Sequence, residues 1–105
     1  MSTPDARVII LFRSRLRADA EPEYSRRAAR MEDPAHRQPG FLAIKTFRAD
    51  DGQRVSIVEF ASDADARAWR AHPEHVEAQR LGRERFYAEY EVTVCAPIRA
   101  TRFRR

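Results

Sequence analysis

The sequence predicts an α+β fold of the ferredoxin-like kind, βαββαβ, with two helical regions on one face of a four-stranded antiparallel sheet. Three observations carry that reading. An unbroken apolar, β-favouring run occupies residues 8–12, two helix-periodic stretches flank a central strand–turn–strand, and an alternating strand closes the chain at residues 90–96. Right-handed crossovers in this order bring both helices to the same face and make the first and third strands central.

Each element has its own local cause. Val8, Ile9, Ile10, Leu11 and Phe12 place apolar side chains on both faces of the first strand, which continues through Arg13-Ser14-Arg15-Leu16. Asp19 is the expected N-cap of the first helix and Pro22 is tolerated in its first turn. Its buried stripe is expected at Tyr24, Ala28, Met31 and Ala35, spaced i, i+4, i+7 and i+11. Pro34 should kink or restart this helix, with Asp33 as a second cap, and Gln38-Pro39-Gly40 should stop it.

Strands at residues 41–47 and 54–60 flank an Asp50-Asp51-Gly52 turn and form a hairpin. Ser62 with Asp65 three residues on resembles a capping box and opens a helix through Ala71. Pro73 restarts a helical piece from about Glu74 to about Arg83, with Gly82 near its end. Nothing divides the chain, so residues 1–105 read as one domain, with a core at about residues 7–98 and a basic tail at residues 99–105.

This topology leaves one sheet face bare. Val8 or Ile9, Ile44 or Phe47, and Val58 or Phe60 are expected to project there, and an apolar face of that size calls for cover. A second copy covers it most simply, because a two-fold axis makes one patch complementary to itself. The expected partner is therefore another copy, paired as a dimeric α+β barrel.

Composition excludes several classes. The net charge is +4, but most arginines alternate with acids, the pattern of a solvated helix face, so neither a nucleic-acid nor a membrane partner is expected. No apolar run approaches the roughly 18 residues of a membrane span, and the N-terminus shows no signal-peptide pattern, so a cytoplasmic location is the default. Cys95, the single cysteine, excludes an internal disulfide and reads as an inert buried thiol on the last strand. The three glycines form no dinucleotide fingerprint or phosphate loop, and no cofactor is expected.

The chemistry-bearing residues gather in Ala68-Trp69-Arg70-Ala71-His72-Pro73-Glu74-His75. With the Ala29-Arg30-Met31-Glu32 segment, the Gln38-Pro39-Gly40-Phe41 junction, the aspartate-glycine hairpin, Ala78-Gln79, Gly82-Arg83 and residues 87–90, this stretch resembles the antibiotic biosynthesis monooxygenase family. The resemblance spans about residues 8–98. It implies a homodimer of ferredoxin-like protomers, each with a pocket between its sheet and its own helices. It also implies, for some members, oxygenation of electron-rich aromatic polyketides without a cofactor.

Within that frame His75 and His72 are the base or acid candidates, since imidazole titrates near neutrality, and Trp69 offers a flat wall for a small aromatic ligand. Tyr87, Tyr90 and Arg83 are the candidates for orienting a phenolate or carboxylate. Competing structural roles are equally concrete: Trp69 as an anchor of helix to sheet, His72 as the cap of the helix that Pro73 opens, and His75 as a hydrogen-bonding surface residue. No metal site is expected, because Pro73 interrupts the only close histidine pair and no third ligand is recognisable. His36 reads as a surface residue.

The expected activity is thus cofactor-independent oxygenation of a small aromatic, polyketide- or quinol-like substrate. A non-catalytic small-molecule-binding or structural homodimer is the alternative. A heme-binding or heme-degrading relative is a second alternative, and its degrading mechanism meets a specific departure: heme-degrading relatives use an asparagine on the first strand, and this chain contains none.

Overall fold

The computed structural model describes residues 6–105, with the side chains of residues 28–33 outside the description. Its elements are β1 (Val8–Leu16), α1 (Glu21–His36), β2 (Phe41–Arg48), β3 (Arg54–Phe60), α2 (Asp63–Arg70), α3 (Pro73–Leu81), a π-helical turn (Gly82–Phe86) and β4 (Tyr87–Cys95). The strands form one antiparallel sheet in the order β2-β3-β1-β4, so the first and third strands are central as expected. This is the α+β ferredoxin-like fold.

Register assigns every strand residue to a face. Ile10 pairs with Val58 and Val94, and Phe12 with Ser56 and Val92, all on the side that carries the helices. Ile9, Leu11, Val55 and Ile57 point the other way, with Ala43, Lys45 and Phe47 beside them on β2. The apolar-on-both-faces reading of β1 therefore holds. Its extension to β3 needs correction: Val58 and Phe60 share one parity and both face the helices, and Val55 and Ile57 supply the apolar residues of the helix-free face. Of the other two pairs, Ile9 and Phe47 take the helix-free side. Cys95 lies opposite Ile9 and is only half-buried, because no helix covers that face.

Two bulges alter the simple alternation. The register shifts between Phe41 and Ala43, leaving Leu42 as the extra residue, and again opposite Arg15 and Leu16, where Ala88 is extra. Residues three apart in a regular strand face opposite sides, whereas the bulges bring Phe41 and Ile44, and likewise Tyr87 and Tyr90, to the helix side.

The helices differ from expectation at their ends. Ala20, not Asp19, is the N-cap of α1, and no side chain caps it: Ala20 already has helical φ and ψ (−90° and −16°), so Asp19 stands one residue too early. Pro34 lies inside α1 without ending it. Only two helical residues follow, so the missing amide falls within the final turn, where Arg37 and Gln38 donate to the carbonyls of Pro34 and Ala35. The expected stripe residues Ala28 and Met31, and Asp33 as a second cap, lie outside the described side chains; Tyr24 is half-buried and Ala35 buried.

At α2, Ser62 Oγ accepts from the Asp65 N–H at 3.1 Å, the first half of the capping box. The second half differs, since the Asp65 carboxylate takes the Ser62 hydroxyl at 2.9 Å. Aspartate is one methylene shorter than the glutamate of the usual motif, and its carboxylate stops at the hydroxyl. The last strand begins three residues earlier than expected, at Tyr87, because the π-helical turn carries the chain straight from α3 into the sheet.

The core is small. Val8, Ala35, Phe60, Ala66 and Trp69 form one buried cluster that clamps α1 and α2 to one end of the sheet. Phe86 and Ala20 are buried separately, and the Phe86 ring meets Tyr24 edge-on with centroids 5.9 Å apart. Among the described residues no helix is long and apolar enough to cross a membrane.

Gly40 and Gly52 both have positive φ, 77° and 90°, but only at Gly40 would an added Cβ strike a neighbour, the Asp65 carboxyl group. Gly40→Ala is therefore expected to lower unfolding stability by about 1–3 kcal/mol, and Gly52→Ala by less, in urea titrations. Equal losses at the two positions would remove the Gly40–Asp65 contact from the account.

Candidate functional site

A cavity of about 300 Å³, within the lower range of small-molecule pockets, opens between the sheet and the helices. Its floor is the apolar side of the sheet, with Ile10 and Phe12 of β1, Val58 of β3 and Val92 of β4, and its roof comes from Trp69 of α2 and His75 and Ala78 of α3. The helices are held to the sheet at one end by the Trp69–Phe60 cluster and at the other by Phe86 and Tyr24, so the space between remains unfilled.

Trp69 serves both as core and as cavity wall: it is 7% exposed within the buried cluster and lines the cavity. The imidazoles of His72 and His75 pack near its indole, with centroids 5.3 and 5.0 Å away. The two histidines have separate surroundings. His72 is the N-cap of α3, its Nδ1 accepting the Glu74 N–H at 3.2 Å, and it does not line the cavity. That bond satisfies one of the free amides at a helix start, which Pro73 at the first position leaves for the preceding side chain to meet.

His75 sits in the first turn of α3, half-buried and lining the cavity, and its Nδ1 is buried with no hydrogen-bond partner. Burial away from water pushes its pKa below the ordinary value of 6.5; a hydrogen bond to the Arg70 backbone opposes this, and the charges of Arg70 and His72 add to the lowering. The imidazole is therefore neutral at pH 7. Nδ1 is thus the ring nitrogen that no protein group engages.

The chain's three tyrosines meet at the other end of the cavity. Tyr87 O–H donates to the Tyr24 hydroxyl at 3.4 Å, and Phe12 packs against both Tyr87 and Tyr90, with centroids 5.4 and 5.5 Å away, while those two rings meet each other at 5.5 Å. Gly82 permits this arrangement, since a Cβ there would fall against the Tyr87 ring. Burial, and secondarily Tyr24, push the Tyr87 phenol well above its ordinary pKa of 10, so it stays protonated and acts as a donor. Arg83 does not line the cavity; it donates to the Tyr90 hydroxyl at 3.3 Å from outside.

Of the residues singled out in the sequence, the fold thus brings Trp69, His75, Tyr87 and Tyr90 to one cavity and leaves His72 and Arg83 behind it. Sequence reading missed Phe12, Tyr24, Arg67 and Arg70 as lining residues. Parity along β1 and the Tyr24 stripe position were available signals for the first two; the rim arginines carried none, because arginine is common throughout the chain. Among the described residues no three metal-ligating side chains converge.

Comparison with known proteins agrees with the fold. A family model for antibiotic biosynthesis monooxygenases matches residues 7–81. The uncharacterized protein YqjZ of Bacillus subtilis (strain 168) is 32% identical over 92 residues, covering 88% of this chain and 81% of YqjZ. Among solved structures, Rv0793 from Mycobacterium tuberculosis aligns with a TM-score of 0.81 at 21% identity, over 91% of this chain and 99% of Rv0793. SnoaB, a cofactor-independent oxygenase from Streptomyces nogalater, aligns with a TM-score of 0.77 at 21% identity, over 90% of this chain and 96% of SnoaB. These structural matches concern the fold. The family model covers most of the chain and the YqjZ similarity nearly all of it, so this protein belongs to the antibiotic biosynthesis monooxygenase family.

Proposed function

We propose that the protein is a cofactor-independent monooxygenase acting on a small aromatic, polyketide- or quinol-like substrate. The observation that carries this reading is the neutral imidazole of His75, with an unpartnered Nδ1, in the wall of an aromatic-lined cavity. Family membership and the fold shared with SnoaB, itself a cofactor-independent oxygenase, support it.

In the proposed reaction an anthrone-type CH₂ group gives its proton to His75 Nδ1, and turning of the half-buried ring brings the lone pair to the substrate. The resulting carbanion passes one electron to dioxygen, and recombination forms the C–O bond of a peroxide. The proton returns from His75 to the peroxide, and loss of water leaves a ketone. One oxygen atom enters the product, the other leaves as water, and the substrate supplies all the electrons. Tyr87, turning its hydroxyl from Tyr24 to the substrate, is the donor for negative charge developing on oxygen, and the apolar floor strengthens that hydrogen bond by excluding water. Trp69 sandwiches the substrate rings against the sheet.

The proposal extends to a second copy on the helix-free face. Ile9, Leu11, Val55 and Ile57 form an apolar strip along the two central strands, and Phe47 beside them is 48% exposed with the Lys45 ammonium 5.5 Å from its ring centre. Pairing two such faces buries the strip on both copies.

Oxygen uptake by the metal-free protein with a panel of anthrones and dihydroxynaphthalenes tests the activity. Protein-dependent uptake is expected, and its absence across the panel would leave the binding-protein reading in its place. His75→Gln is expected to slow uptake by roughly 100-fold or more. Only the neutral imidazole accepts a proton, so kcat/KM should rise with pH through a midpoint below 6.5 and be level at neutrality; a midpoint above 6.5 contradicts the assignment. In sedimentation the protein should run as a dimer and Ile57→Asp should shift it toward monomer, whereas a monomeric wild type rules out the pairing.

A further inference from the structure

The cavity rim carries positive charge that nothing in the mechanism uses. Arg67 and Arg70 both line the cavity and are both exposed, which puts them at its edge. They are three residues apart on α2, hence neighbours on one helix face. Arg67 is already paired with Asp63, at 3.1 Å one turn back. Arg70 differs from Arg54, Arg80 and Arg85, each of which meets a carboxylate: among the described residues it has neither an ion pair nor a side-chain hydrogen bond. A cation in the last turn of α2 interacts well with the helix C-terminus, which accounts for its charge and not for its place on the cavity side.

We propose that Arg70, with Arg67 beside it, forms an anion subsite at the cavity rim, and that the ligand is an aromatic acid whose carboxylate docks there while its rings enter beneath Trp69. Guanidinium and carboxylate are matched for two parallel hydrogen bonds, and Arg70 lines the same cavity as Trp69, so the acidic group docks at the edge of the space that the ring walls. His75 lines the same cavity, and the Arg70 charge adds to the lowering of its pKa. The inference rests on the cavity being the ligand site, as the oxygenase reading does, but it concerns recognition and not turnover.

The probes are a hydroxynaphthoate and the matching hydroxynaphthamide, of the same shape with and without the charge. Affinity is measured by calorimetry, and quenching of Trp69, the only tryptophan, reports entry into the cavity. The acid is expected to bind about tenfold more tightly than the amide, with the advantage shrinking as salt is raised. Arg70→Gln should remove the preference by weakening the acid and leaving the amide unchanged, and Arg70→Lys should restore part of it. Because Arg70 is exposed, Arg70→Lys should keep the thermal midpoint, and Arg70→Gln should lower it only by the small loss of a cation at the helix C-terminus. Equal affinities, a preference that survives Arg70→Gln, or no binding of either probe would overturn the proposal. A preference without oxygen uptake would uphold the subsite while refuting the oxygenase reading, and His75-dependent uptake without a preference would do the reverse.

Discussion

The burial of Trp69 against Phe60, Val8, Ala35 and Ala66 is the contact on which the rest of the architecture depends. It joins the corner between α2 and α3 to one end of the sheet. Phe60, fully buried at the centre of this cluster, contributes on the order of 2–3 kcal/mol by leaving water. The clamp fixes the start of α3, where His75 sits, since α3 has no buried residue of its own and is otherwise held through the π-helical turn and α1. The ring that stabilises the fold is also the ring that walls the cavity.

That economy has a consequence for packing. The protein invests its few large side chains at the two ends of the helix layer and leaves the middle of the sheet uncovered by side chains. A filled core would be more stable, but it would leave no space for a ligand. Phe12 and Val92 therefore face a cavity, and Ile10 and Val58 line it while packing against the edge of the buried cluster. The low dielectric there keeps the His75 imidazole neutral and the Tyr87 phenol protonated, one set to accept a proton and the other to donate a hydrogen bond.

Much of the fold was legible because it is written in local chemistry. The Ser62–Asp65 cap, the glycine turn of the hairpin and the proline corner before α3 each follow from residues within one helical turn. The limits of β3 emerged correctly for the same reason. The bulges at Leu42 and Ala88 were not legible, since a bulge is set by the register of the neighbouring strand. Both decide which aromatic rings reach the cavity.

The two histidines illustrate the boundary at the site. Each belongs to the same short stretch, and sequence offered each as a base or as a structural group. A side chain directly before a proline at the first helical position is well placed to cap the helix, and His72 does so. Which way His75 turned depended on the Trp69 clamp, a contact between elements distant in sequence. Arg70 was invisible for a further reason: its significance lies in what it lacks, a carboxylate partner, and composition cannot reveal that.

The clamp holds a neutral imidazole with an unpartnered Nδ1 in the cavity wall. Nitrogen-15 NMR of the histidine rings across a pH titration tests it most directly. His75 is expected to be neutral at pH 7, with a titration midpoint below 6.5. A His75 ring that titrates at or above that value would contradict it.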